Sequence, residues 1–423
     1  MGTRRAFLKD GAIALFAIGQ SGAGPAFLQR AALAASALPA PGRRKVLVAI
    51  FQRGAMDGLA AVPPLDQQGW LERLRPRLAM SASREVAGAR LLDLGVGYGL
   101  HPALAPLLPL WRDRRLAVVH CVGSPDISRS HFDAQDFMET GTPGDKSTTS
   151  GWLNRACGQL GHEATPLRAV AVTSALPRSL YGPQPALAVR KVVDLALGLP
   201  GAERATAAAG KGFEALYEQT SESLLRGTAA ESFEAARLLE RLGGERRLWS
   251  GDGEEAASSL GRALRQIVAL IRAEVGLEVA FAEMGGWDTH VQQGGESGTF
   301  AQRAGELAGA LAAFWENLGP YRDDVTVLTM TEFGRTVAEN GAGGTDHGHG
   351  SCLFVLGPAV DGGKVHGALP SLDPDALHEG RDLPVTTDFR AVFAEVAGKH
   401  LGIADDQTLF PGWSGGRLPL LRT

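Results

Sequence analysis

Five short segments gather acidic, histidine and serine residues, four of them beside glycine. They are Arg53-Gly-Ala-Met-Asp57-Gly, Ser128-Arg129-Ser130-His131, Gly285-Gly-Trp-Asp288-Thr-His290, Thr331-Glu332-Phe-Gly-Arg335-Thr and Gly344-Thr-Asp346-His347-Gly-His349-Gly. Carboxylates and imidazoles together suit Zn²⁺, Mn²⁺, Fe or Mg²⁺ better than soft ions. The candidate metal ligands are therefore Asp57, Asp288, His290, Glu332, Asp346, His347 and His349. Neighbouring glycines let the backbone turn tightly and approach an ion. A serine opening a helix faces unpaired N–H groups that favour an anion. Ser130, or Ser128, is thus the candidate nucleophile, with His131 beside it. Arg129 and Arg335 are placed to grip an oxyanion through paired hydrogen bonds. Together these residues describe a divalent-cation site that polarises a small anionic ester, with a hydroxyl poised to attack.

Each residue also has a plainer use. Asp57 before Gly58 can shape a turn, and Glu332 can pair with Arg335 as a structural salt bridge. Ser128 or Ser130 can serve only as an N-cap. His349 alternates with His347 and can point away from it. His101 before Pro102 reads as a capping or packing histidine. His120, His162, His366, His378 and His400 read as structural or exposed.

The segments gain force from the elements around them. Apolar runs predict buried parallel strands at Lys45–Phe51, Leu116–Cys121, Leu167–Thr173, Leu277–Met284, Asp324–Met330 and Cys352–Leu356. Helical spacing predicts helices at Pro102–Trp111, Phe132–Glu139, Thr299–Leu318 and Phe389–Leu401. A block rich in Ala, Glu, Leu and Arg, Gly201–Ala273, reads as two or three helices forming an insertion or cap. Strands alternating with helices imply an α/β fold, a mostly parallel sheet covered on both faces. Sites in such sheets form beyond the carboxyl ends of the strands, where four of the five segments fall.

The N-terminus carries a separate signal. Thr3-Arg-Arg-Ala-Phe-Leu-Lys9 precedes a short apolar run and Ala-rich sequence with small-residue cleavage sites near Ala37. That layout predicts a twin-arginine signal peptide over 1–37, export to the periplasm or beyond, and a mature α/β domain over 38–423. The export machinery is then an expected partner, and the apolar run is too short for a transmembrane span. The formal charge is −4, which offers nothing to nucleic acid or an anionic membrane. Three well-separated cysteines, Cys121, Cys157 and Cys352, show no metal-type spacing and read as small buried residues.

The motifs Arg53-Gly-Ala-Met-Asp-Gly-Leu59, Leu100-His-Pro-Ala-Leu104, Ser128-Arg-Ser-His-Phe-Asp-Ala-Gln-Asp136, Gly285-Gly-Trp-Asp-Thr-His290, Thr331-Glu-Phe-Gly-Arg-Thr336 and Gly344-Thr-Asp-His-Gly348 resemble those of a family of exported bacterial proteins, domain-of-unknown-function family 1501. The resemblance runs from about Lys45 to Trp413. That family in turn resembles a distant branch of the alkaline phosphatase and sulfatase superfamily. The resemblance implies an alkaline-phosphatase-like sheet, one or two divalent metals and transfer of a phosphoryl or sulfuryl group to a hydroxyl. By position it implies Asp57 as the metal-bridging aspartate, Ser130 as nucleophile, Asp288 and His290 in one metal site, Glu332 where the superfamily has aspartate, and Asp346 or His347 as the last ligand. The chain departs from the superfamily in its Asp288-x-His290 spacing and in Glu332-Phe333, and it lacks a sulfatase maturation motif.

Overall fold

The computed structural model describes residues 43–83, 90–162, 164–191 and 258–422. Its strands are β1 (Val46–Gln52), β2 (Leu92–Asp93), β3 (Gly99–Leu100), β4 (Leu116–Gly123), β5 (Ala169–Ala171), β6 (Leu187–Ala188), β7 (Val279–Met284), β8 (Val325–Met330), β9 (Ser351–Leu356), β10 (Val365–His366) and β11 (Thr387–Asp388). Nine form one sheet in the order β10-β4-β9-β8-β1-β7-β5-β6, with β11 also on β4; β2 and β3 form a separate antiparallel pair. Every pairing in the large sheet is parallel except those of β9, which runs antiparallel to both β4 and β8. The fold is thus mixed α/β with a mainly parallel central sheet.

Strand period decides which side chains serve which face. Along β1, Val46, Val48 and Ile50 enter one core, and Leu47, Ala49 and Phe51 enter the other. The helices that position the site or cover the sheet are α1 (Gly58–Ala61), α2 (His131–Thr140), α3 (Trp152–Gln159), α4 (Ser259–Arg272), α5 (Thr299–Leu318) and α6 (Phe389–Leu401). Leu264, Ile267 and Ile271 of α4 and Leu307, Leu311 and Phe314 of α5 pack on the first face. Trp152 and Leu153 of α3 and Phe389, Phe393 and Val396 of α6 pack on the second. With both faces covered, β1 is buried throughout.

The helices at Thr299–Leu318 and Phe389–Leu401 have the bounds that their periodicity predicts. The stretch Pro102–Trp111 differs: Pro102–Leu107 winds as a 3₁₀ helix before α-helix takes over at Leu108–Arg112. Pro106 lacks an N–H to give a regular α-helical ladder. The strand predicted over Leu167–Thr173 is ordered as strand only at Ala169–Ala171. Of the helical block Gly201–Ala273, α4 is seen, while 192–257 lies outside the described residues, as does the predicted signal segment. Cys121, Cys157 and Cys352 are buried free thiols.

The register fixes where the loops go. Gln52 pairs with Met284 and Phe51 with Met330, so β1, β7 and β8 end level with one another. On the antiparallel pair, Val122 near the end of β4 faces Ser351 at the start of β9. The loops after β1, β4, β7 and β8 and the loop before β9 therefore meet on one rim. These loops hold all five chemistry-bearing segments.

Candidate metal centre

Packing aims each loop. Trp287 is buried in the core, edge-on to Phe300 at 5.9 Å, and pins the loop after β7 so that Asp288 and His290 flank an immobile anchor. Gly54, at φ +113°, lies against that loop, where a Cβ would sit 2.5 Å from the Asp288 nitrogen. A Cβ on Gly344 would collide with the Thr289 and His290 carbonyls, so only glycine lets the loop before β9 come this close. His131 is the first residue of α2. Buried Phe333 packs against the rings of His131 and His347, with centroids 4.9 and 5.0 Å away.

Three imidazoles and one carboxylate converge. His347 Nε2 lies 3.0 Å from His131 Nε2, 2.9 Å from His290 Nε2 and 3.2 Å from Asp288 Oδ1. His290 Nε2 is 3.1 Å from Asp288 Oδ1, and His131 Nε2 is 3.5 Å from Asp288 Oδ2. The donor atoms of His131, Asp288 and His347 lie close enough together to hold one ion. Nitrogens and oxygens bound tetrahedrally at 2.0–2.2 Å sit about 3.3 Å apart, close to the separations among His131, Asp288 and His347.

The opposite ring nitrogens decide what these atoms offer. His131 Nδ1 is 2.8 Å from Glu332 Oε1, His290 Nδ1 is 2.8 Å from Asp346 Oδ1, and His347 Nδ1 is 2.9 Å from the Arg129 carbonyl. All three partners are acceptors, so each Nδ1 carries the proton and donates it. In its neutral form, each ring then has an Nε2 lone pair to turn inward. Three lone pairs and a carboxylate repel one another unless a cation or an added proton joins them. The donor set therefore fits a divalent cation, each histidine being oriented by an acceptor behind it, as metal-ligating histidines usually are.

Electrostatics agree. Burial pushes the Asp288 carboxyl up, but the Arg335 guanidinium, 2.7 Å away, with His290 and His131, outweighs it and holds the carboxyl below its ordinary range. Burial likewise opposes the charge on Glu332, yet the bonds from His131, Gln135 and Gly54 keep that carboxyl low. Asn340 and His290 hold Asp346 low. The Glu332 hydrogen bond raises His131, whereas burial lowers His347. The four cluster side chains stay between 23% and 43% exposed, so the cluster opens to solvent.

The structure thus sorts the sequence candidates. Asp288, His290 and His347 meet, joined by His131, which the sequence marked only as a neighbour of the nucleophile. Glu332 and Asp346 stand one shell back, behind His131 and His290. Glu332 pairs with His131 rather than with Arg335, and Arg335 grips Asp288 and the Thr345 carbonyl instead of facing an empty oxyanion position. Asp57 is elsewhere: it caps α1 and pairs with buried Arg75. His349 stacks on His378 at 4.8 Å, away from the cluster's hydrogen bonds. Arg129 contributes its carbonyl, while its side chain turns to Glu379 and Asp382. Ser130 is the exposed N-cap residue of α2 with no side-chain cap bond, and Ser128 Oγ accepts from Ser130 N. His101 caps the 3₁₀ helix and reaches the Gly295 carbonyl. Sequence reasoning missed Gln135 and Asn340, which brace Glu332 and Asp346; Gln135 sat inside a quoted motif. It also missed Gln293, whose amide donates to Asp57 and accepts from Thr289 and Thr345.

The sequence family described as "Protein of unknown function (DUF1501)" matches residues 113–410. That span holds all four cluster residues and begins after Asp57 and His101. No curated protein matches the chain. Among the described residues, no helix is long and apolar enough to cross a membrane.

Proposed function

The chain belongs to the DUF1501 family, and we propose that it is an exported, metal-dependent hydrolase of phosphate or sulfate esters. One observation carries the reading. Three histidines, each with its Nδ1 against an acceptor, gather their Nε2 atoms beside Asp288 at a solvent-open rim. A divalent ion there would supply Lewis-acid polarisation of an ester oxygen.

The chain's own part is positional. Glu332, Asp346 and the Arg129 carbonyl fix the three rings. Arg335 fixes Asp288 and keeps it ionised. Ser130, next to His131 and free of cap duty, is the nucleophile in this reading. The likeness to alkaline phosphatases and sulfatases supports the same reaction class, and the twin-arginine motif at Arg4-Arg5 supports export of the folded protein.

A second reading rests on a specific feature: the cluster's hydrogen bonds include no serine hydroxyl. It makes the protein a non-catalytic exported binding or assembly protein that keeps a metal. One experiment separates the two. Purified protein is analysed for metal and offered chromogenic phosphate and sulfate esters. The hydrolase reading expects turnover that EDTA abolishes and that Asp288→Ala and Ser130→Ala each remove. Fully metallated protein inert towards every ester would leave the binding reading in its place.

A further inference from the structure

The three most exposed large apolar side chains among the described residues are Phe132 at 90%, Ile127 at 62% and Val291 at 61%. A lone exposed apolar residue needs no explanation. Each of these three is tied through the backbone to a residue that builds the cluster. Phe132 directly follows His131, and Val291 directly follows His290. Ile127 lies two residues before Arg129, whose carbonyl holds His347. Consecutive Cα atoms are about 3.8 Å apart, so Phe132 and Val291 each stand one step from a cluster histidine. The loops that gather polar donors at their centre thus carry apolar groups into water at their edge.

Resting on the hydrolase reading, we propose that the substrate is amphiphilic: an anionic ester head seated at the cluster, with an alkyl or aryl group lying on Ile127, Phe132 and Val291. A divalent ion would add two positive charges to a cluster whose one carboxylate is already paired with Arg335, and would so complement the anionic head. The rim offers the second half of the recognition. A purely polar ester would leave Phe132 in water and gain nothing from it. Moving apolar surface out of water onto this rim is worth up to about fourfold in affinity per methylene.

The test uses metal-loaded full-length protein and non-hydrolysable n-alkyl phosphonates and sulfonates from methyl to octyl, with affinity read by calorimetry. Affinity is expected to rise about two- to fourfold per methylene. Phe132→Ser and Ile127→Ser should flatten that rise while keeping metal content and affinity for the methyl compound. A flat series in the wild type overturns the amphiphile and leaves the hydrolase reading standing. Failure of even the methyl compounds to bind removes the hydrolase reading and this proposal with it. Co-sedimentation with phosphatidylcholine vesicles, or a dimer that Phe132→Ser dissolves, would assign the rim to another occupant and overturn the proposal. So would a Phe132 protected from hydroxyl-radical footprinting in ligand-free protein.

Discussion

Two polar assemblies sit on the same rim of the sheet, and they are built oppositely. In the first, Asp57 and Arg75 are each 2% exposed and wholly engaged. Asp57 accepts from Ala60, Arg75 and Gln293, and Arg75 also donates to the Thr336 and Val337 carbonyls. In the second, His131, His290, His347 and Asp288 are partly exposed and face one another with lone pairs and negative charge. The carboxylates of both, Asp57 and Asp288, lie in glycine-containing motifs. A carboxylate shut from solvent and fully engaged is scaffold, whereas donors gathered at an open rim await a cation. Gln293 links the two, since its amide touches Asp57 on one side and Thr345, a partner of Arg335, on the other.

The largest expected effect breaks the closed assembly. Arg75→Leu leaves Asp57 buried beside Gln293 without a counter-charge. Removing one member of a buried pair costs about 3–5 kcal/mol. Urea unfolding of metal-free protein should show that loss. His347→Ala in the same metal-free protein should cost under about 1 kcal/mol, because it relieves lone-pair repulsion at a partly exposed position. Equal losses for the two variants would erase the distinction.

Acid sharpens the same contrast through histidines in closed surroundings. Burial pushes His120 and His400 down to about 4 from an ordinary 6.5. Each is neutral in the fold, with His120 against the Val62 carbonyl and His400 between Thr326 and the Val46 carbonyl. Between pH 4 and 6.5 the unfolded chain binds the extra protons, so their stabilisation is complete above about 6.5 and fades as pH falls towards 4. Each contributes up to roughly 3 kcal/mol. Metal-free protein unfolded in urea at pH 7, 5.5 and 4.5 should show the decline, and His400→Gln should make it shallower. A variant as acid-sensitive as the parent would mean that His400 is not held neutral.

Metal reads the open assembly directly. A divalent ion at 100 times its Kd should stabilise the fold by about 2.7 kcal/mol, seen as a rise in Tm that EDTA reverses. Asp288→Ala should abolish the rise. Asp57→Asn should lower the starting Tm yet keep the rise, because Asp57 donates nothing to the cluster. Loss of the rise in Asp57→Asn alone would move the ion to the first assembly.

Much of this frame was legible in the sequence. The twenty residues of α5 carry enough apolar repeats to mark both of its ends, and β1, β7 and β8 announce themselves as mostly apolar runs, with Glu283 in β7 and Thr326 and Thr329 in β8. The rule that sites form beyond strand carboxyl ends brought four of the five segments to one rim, and the fifth joins them because β9 is reversed. Strand direction was not legible: nothing local in Ser351–Leu356 marks β9 as the reversed strand. Two-residue strands such as β6 and β10 are too short to show a period. Within the site, residue type flagged the right loops but not the ranks inside them. Whether a carboxylate lies beside Nε2 or behind Nδ1 of a histidine depends on partners far off in the chain, such as Glu332 for His131. The arginine that closes Asp57 lies outside every motif, at Arg75.

The smallest expected effect tests that ranking. Glu332 is fully buried, and its Oε1 accepts from His131, Gln135 and Gly54. In Glu332→Gln the amide oxygen can still accept from His131 Nδ1, so the tautomer and the fold are retained. The negative charge behind the ring is lost, and His131 Nε2 becomes a weaker electron donor. Losing such a partner typically costs 10- to 100-fold in metal affinity. Chelator competition should therefore find Kd raised by about that factor, with unfolding of the metal-free protein little changed. If Glu332→Gln instead binds metal as tightly as the parent, His131 is no ligand, and the centre shrinks to His290, His347 and Asp288.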